Sequence, residues 1–199
     1  MSEKEICSWL TKQLRLYIAI KEEDAANITG MFHCRQVSKG DYLLKEGQYG
    51  DWWGFVYEGL FRSYSYDTKD TEFTNAFFRE GSFTCELVSF SGAAVSVTNV
   101  VALEDSIILC VNKPTLDSLF RDYPDFERFG RLLYEKVLIS HKQRNLFRVR
   151  LNARERYLHF LKNEPELLKR VPLKYIASYL SVTDTSLSRI RRNQQQLVG

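Results

Sequence analysis

The stretch "RVPLKYIASYLSVTDTSLSRIRR", residues 170–192, carries two apolar periods separated by a short break. Ile176, Ala177 and Leu180 fall on one face of a first helix, and Leu187 and Ile190 on the inner face of a second. Ser181, Val182 and Thr183 interrupt them. Thr185, Ser186, Ser188, Arg189, Arg191 and Arg192 are left to face outward. Two short helices crossing on a small apolar core, the second with a basic, hydroxyl-bearing outer face, is the pattern of a helix–turn–helix.

The chemistry of the break fits that reading. Ala177 is small where two helix axes must approach, and Val182 closes the core from the turn. Thr183 stands where its hydroxyl can cap the second helix, and Asp184 in the first turn suits the helix dipole. Ser181 occupies a turn position that needs a left-handed backbone, which costs a serine about 1 kcal/mol relative to glycine. If the second helix enters a major groove, Thr185, Ser186 and Arg189 point toward base edges, with Arg189 suited to a bidentate contact to guanine. Lys174, Tyr175, Thr183, Ser188, Arg191 and Arg192 are then placed for the DNA backbone.

Charge supports a polyanionic partner. The 199 residues carry a formal charge of only +3. From Lys142 onward, however, 13 Lys and Arg stand against 4 Asp and Glu, whereas the first 141 residues are net acidic. The excess is concentrated around the paired helices. Cys7, Cys34, Cys85 and Cys110 are widely separated, so neither a zinc nor a cluster-binding run can be read and no cofactor is expected. No signal-peptide core is present at the N-terminus, and the apolar run "IILCV" at 107–111 is too short to span a bilayer. A cytoplasmic protein without membrane contact is expected.

Outward from the C-terminal motif, the period changes twice. Residues 3–20 place Ile6, Trp9, Leu10, Tyr17 and Ile20 near helical spacing, and a second short helix is expected after an N-capping Asp24. From about Val37 onward, β-type runs such as "DYLLKEG", "GFVYEGLFRSYSY", "EFTNAFFREG" and "SIILCVN" are punctuated by Gly40, Gly47, Gly59, Gly81 and Gly92. That spacing predicts a jelly roll, with its many aromatic residues serving as strand core. "PTLDSLFRDY" reads as a helix ending before Pro124. A long helix then covers residues 124–150, with Phe126, Phe129, Leu133, Val137, Ser140, Arg144 and Phe147 recurring at three- and four-residue steps. Such a seam fits a helix packed on its own barrel or one paired with its copy. Pairing in a homodimer is the expectation. "NARERYLHFLKNEPELL" gives a further helix.

The predicted fold class is α+β: a jelly-roll (double-stranded β-helix) sensor domain with flanking helices over residues 1–123, a long dimerisation helix over 124–150, and a small all-α helix–turn–helix domain over 151–199. In that order these parts resemble the cyclic-AMP receptor protein and fumarate–nitrate regulator (CRP/FNR) superfamily of transcription regulators. "LLKEG", "FVYEGLFRSY", "GSFTCEL" and "IASYLSVTDTSLSRIRR" carry the resemblance. It is similar to a short form, because only "NQQQLVG" follows Arg192, where a wing hairpin would stand.

The resemblance implies a non-enzymatic, sequence-specific DNA-binding regulator. Its partners would be a pseudo-palindromic double-stranded operator, its own copy, RNA polymerase, and either an unknown small-molecule effector or none. Aligned on the family's phosphate cassette, Cys85, Glu86, Leu87, Ser96 and Val97 are the implied effector-pocket residues. Ser96 replaces the arginine that neutralises a cyclic nucleotide's phosphate, and no Lys or Arg occurs between Arg79 and Lys113. A buried phosphate without a countercharge is costly, so ordinary cyclic-AMP binding is not expected. The single Cys7 near the N-terminus argues against an oxygen-sensing cluster.

Two other classes compete with this reading. A cupin-type metalloenzyme needs a histidine constellation, whereas His33, His141 and His159 show no ligand spacing and none is expected inside the barrel strands. A signalling adaptor whose C-terminal helices bind a protein is the alternative reading of the basic tail.

Overall fold

The computed structural model describes residues 3–198, with side chains described for 4–193. Helices α1 (Glu3–Arg15) and α2 (Glu22–Gly30) precede strands β1 (His33–Val37), β2 (Tyr42–Leu44), β3 (Trp53–Glu58), β4 (Leu60–Tyr66), β5 (Glu72–Arg79) and β6 (Phe83–Thr84). A short helix α3 (Leu87–Phe90) leads to β7 (Asn99–Ala102) and β8 (Ser106–Val111). Helices α4 (Lys113–Asp122), α5 (Pro124–Arg150), α6 (Ala153–Asn163), α7 (Leu167–Arg170), α8 (Leu173–Tyr179) and α9 (Asp184–Val198) complete the chain. None of the described helices is long and apolar enough to cross a membrane.

The chain divides into two compact units. One contains the residues up to Arg62 together with Phe77–Leu138, and the other contains Ser63–Ala76 and the residues from Ile139 onward. The three boundaries fall inside elements, in β4, β5 and α5.

The β elements form two four-stranded sheets ordered β1-β8-β3-β6 and β2-β7-β4-β5. The β1–β8, β3–β8, β3–β6 and β2–β7 pairs are antiparallel, so the predicted α+β class with an antiparallel roll is the class observed. Successive strand residues point to opposite faces, and Trp52 and Trp53 show the consequence. Trp52 joins Val56, Phe61, Val100 and Ile108 in one apolar cluster. Trp53 sits in the other, ringed by Phe55, Phe83, Phe120, Phe126 and Phe129 at centroid separations of 5.1–6.2 Å. The Trp53 indole N–H donates to the Tyr134 hydroxyl at 2.8 Å, so this buried donor is satisfied. Burial pushes the Tyr134 phenol up to about 12, with the neighbouring Cys85 thiol adding to the rise. Gly59, at φ +92°, holds the tight β3–β4 turn, and a Cβ there would stand 2.2 Å from Ser106 Oγ.

Four expectations are corrected here. Phe126, Phe129 and Leu133 are buried in this chain's own core, packed with Trp53, Leu116 and Leu119, so they cannot form a seam with another copy. The periodicity marked a buried face, and the barrel helices already cover it. Helix α2 starts after Lys21, not Asp24; Glu22, Glu23 and Asp24 all lie in its first turn, where the helix dipole favours acids. His33 does lie in a barrel strand, opening β1 opposite Cys110, although it is exposed. Finally, "NARERYLHFLKNEPELL" forms two helices, because the chain leaves helical geometry at Glu164 just before Pro165.

In the second unit, α6 opens with a reciprocal capping box. Asn152 Oδ1 accepts from the Glu155 N–H at 3.1 Å, and Glu155 Oε2 accepts from the Asn152 N–H at 2.8 Å. The hairpin segment 63–76 is tied in by polar bonds. The Thr74 N–H donates to Ser178 Oγ at 2.8 Å, and Arg144 Nη1 donates to the Asn75 carbonyl.

Candidate nucleic-acid interface

The two C-terminal helices are built as their residue pattern demands. Ile176, Ala177 and Leu187 are fully buried and Leu180 nearly so, while Val182 and Ile190 are half-buried. Ser181 adopts φ +55°, the left-handed geometry that reverses the chain between α8 and α9. Its N–H donates to the Ser178 carbonyl at 3.0 Å, and the Val182 N–H donates to the Ala177 carbonyl at 3.0 Å, closing the last turn of α8. Thr183 Oγ1 accepts from the Ser186 N–H at 3.2 Å, while its carbonyl accepts from the Leu187 N–H. It is therefore the N-cap of α9.

Arg156, which sequence reasoning passed over, fastens this turn from α6. Its Nε donates to the Leu180 carbonyl at 2.8 Å, Nη1 to the Leu151 carbonyl at 2.7 Å, and Nη2 to the Ser181 carbonyl at 3.4 Å. A charged donor on carbonyls left open at a helix end makes strong bonds. No local pattern announces it, because the partners lie up to 25 positions away.

The outward face of α9 is polar and basic. Thr185, Ser188, Arg189, Arg191 and Arg192 are exposed, and Ser186 is half-buried. Thr183 Oγ1 lies 3.0 Å from Thr185 Oγ1 and 2.9 Å from Ser186 Oγ, so three hydroxyls cluster at the start of the helix. On α8, Lys174 is exposed with its ammonium 4.9 Å from the Tyr175 ring centre. The structure thus places most of the proposed DNA-facing residues at the surface. Arg189 is outside, with Leu187 inside. Helix α9 does not stop near Arg192 but runs on to Val198, so the segment after Arg192 continues the helix.

The effector cassette has a different character. Glu86 spends its carboxylate as the N-cap of α3, with Oε2 accepting from the Ser89 N–H at 2.8 Å. Ser89 Oγ accepts from the Gly50 N–H at 2.9 Å. Ser96 is 1% exposed and bonded to its own neighbours, with Oγ donating to the Thr98 carbonyl at 3.0 Å. Burial pushes the Cys85 thiol far above its ordinary value, and the adjacent Glu86 carboxylate adds to the shift. Leu87 and Val97 are exposed at 42% and 71%, so they do not wall an enclosed cavity. Of the five residues named for this pocket, only Cys85, Glu86 and Ser96 turn inward to any degree. Among the described residues there is no cluster of three or more His, Cys, Asp or Glu able to hold a metal.

Residues 34–123 match the family model of the cyclic nucleotide-binding domain. Comparison with curated protein sequences finds no match. Solved structures do match. The catabolite activator protein of Thermus thermophilus is 19% identical with a TM-score of 0.55, over 91% of this chain and 86% of that one. The c-di-GMP-responsive global regulator CLP of Xanthomonas campestris is 17% identical with a TM-score of 0.70, over 88% and 92%. FixK2 of Bradyrhizobium japonicum is 18% identical with a TM-score of 0.70, over 83% and 85%. At these identities the likeness is one of fold: an antiparallel roll of the cyclic nucleotide-binding type, a long helix and a set of C-terminal helices.

Proposed function

We propose that the protein is a cytoplasmic transcription regulator of the CRP/FNR type that binds DNA as a homodimer. The observation that carries this reading is the α8–α9 pair: a left-handed Ser181, a Thr183 cap and a buried Leu187 present Arg189 and its basic neighbours on one exposed face. In this reading Thr185, Ser186 and Arg189 read bases, while Lys174, Tyr175, Thr183, Ser188, Arg191 and Arg192 hold the backbone.

The dimer contact is assigned to the exposed apolar residues of α5 in place of the buried ones. Leu138 and Val149 are 71% and 85% exposed, and Ile139 and Leu146, one heptad apart, are about half exposed. The roll is assigned a regulatory role without ordinary cyclic-AMP binding. Its glutamate is committed to a helix cap, and the position of the phosphate-neutralising arginine is a buried serine.

Selection from random duplexes with the full chain tests the reading. The expected outcome is a pseudo-palindrome whose half-sites are centred about 34–36 Å apart. With about four phosphate contacts per protomer, the slope of log affinity against log salt should be roughly −7. A protein-binding adaptor would enrich no sequence.

A further inference from the structure

A second concave site lies entirely within the C-terminal unit, among α5, α6 and α8. Its volume is about 220 Å³, and Arg144, Arg148 and Arg156 all contribute to its wall, with Glu164 the lone carboxylate among its described lining residues. Two rings pairs border it: Phe147 against His159 at 4.4 Å and Phe160 against Tyr179 at 5.7 Å between centroids.

The three guanidiniums are not equally engaged. Arg156 is spent on the Leu180 and Ser181 carbonyls of the α8–α9 turn and on the Leu151 carbonyl. Arg144 uses Nη1 on the Asn75 carbonyl and lies 5.6 Å over the Tyr179 ring, yet its Nε is buried with no hydrogen-bond partner. Arg148 Nε is likewise buried and unpartnered. Burial lowers the Arg148 pKa, and the neighbouring Arg144 charge lowers it further. Orphaned charged donors are expensive, and like charges in one wall add repulsion. A bound oxyanion would offset the repulsion between these guanidiniums, because their outer N–H groups match carboxylate and phosphate oxygens in pairs.

We infer that this cavity is a binding site for a small organic oxyanion, a phosphate or carboxylate carried on a single ring, held by Arg144 and Arg148 with its ring against the aromatic border. The volume falls below the usual range for drug-sized ligands, about 300–1,000 Å³, and suits a ligand of one ring. The site is separate from the α3 cassette of the roll and stands whether or not α9 reads DNA.

Calorimetric titration of the full chain with phenyl phosphate and with benzoate, at constant ionic strength in chloride buffer, tests it. One of the two should saturate a single site per chain, and R148Q should weaken that binding by about tenfold or more. Preference for phenyl phosphate assigns the head group as a phosphoryl, and preference for benzoate as a carboxylate. Should R148Q not fold, the arginine Nε–H resonances of the wild-type chain give a second readout, since those of Arg144 and Arg148 should shift on saturation. Heats no greater than with chloride for both compounds, unaltered binding by a folded R148Q, or Nε–H resonances that do not move would overturn the assignment.

Discussion

The roll's α3 cassette and the α8–α9 pair make opposite use of similar local devices. Each contains a helix start capped by a side chain: Glu86 on the Ser89 N–H, and Thr183 on the Ser186 N–H. At α3 the cap engages the Glu86 carboxylate, and the buried Ser96 hydroxyl donates to the Thr98 carbonyl. At α9 the cap consumes only a threonine hydroxyl and leaves Arg189, Arg191 and Arg192 free at the surface. Under the proposed function, the α3 segment has its polar groups satisfied internally, while α9 keeps its basic groups available to a partner.

The largest effect that could break this contrast is loss of the small core beneath α9. Leu187 is fully buried, so Leu187→Ala should cost about 2–5 kcal/mol of the C-terminal unit's stability. Hydrogen exchange should show α8 and α9 opening while the sheets stay protected. Equal loss of protection everywhere would mean that the chain unfolds as one body.

The two caps come next. Glu86→Ala and Thr183→Ala should each destabilise by about 1 kcal/mol in chemical denaturation. Neither variant nor the wild type should give a saturable calorimetric signal with cyclic AMP. Micromolar binding abolished by Glu86→Ala would show that the cap is released for ligand and would remove the contrast.

Smaller still is the turn. The bonds of Ser181 described above run through its backbone, and its φ of +55° strains any residue but glycine. Ser181→Gly should stabilise the protein by up to about 1 kcal/mol, read as a raised melting temperature. A lowered melting temperature would mean that the serine side chain supports the turn.

The smallest effect is a pH dependence at His141. Burial lowers its pKa from the ordinary value of 6.5, and the Arg144 charge acts in the same direction. The unfolded chain then binds this proton more readily than the folded one. Stability should fall as pH drops below about 6.5 and level off beneath the folded value. His141→Gln should show less of this loss than the wild type in thermal melts over that range.

Much of this is legible in the residues, and the largest failures share one cause. Short-range rules located the glycine-punctuated roll, the left-handed turn at Ser181 and the Thr183 cap, because each depends on neighbours within a few positions. The heptad-like run in α5 predicts a dimer seam, but Phe126, Phe129 and Leu133 belong to the Trp53 cluster. Periodicity reports that a face is buried, not what buries it. Arg156 bonding the Leu180 and Ser181 carbonyls, and Thr74 bonding Ser178, were invisible for the same reason. Their partners are brought together only by the fold.

The most direct test of the central claim, that α9 reads duplex DNA through its exposed basic face, is the affinity of Arg189→Ala across a set of operator duplexes differing at single base pairs. The account predicts a loss of about 1–3 kcal/mol on the preferred duplex and loss of discrimination at one symmetry-related base pair, with the others still read. Wild-type affinity and an unchanged preference at every position would contradict it.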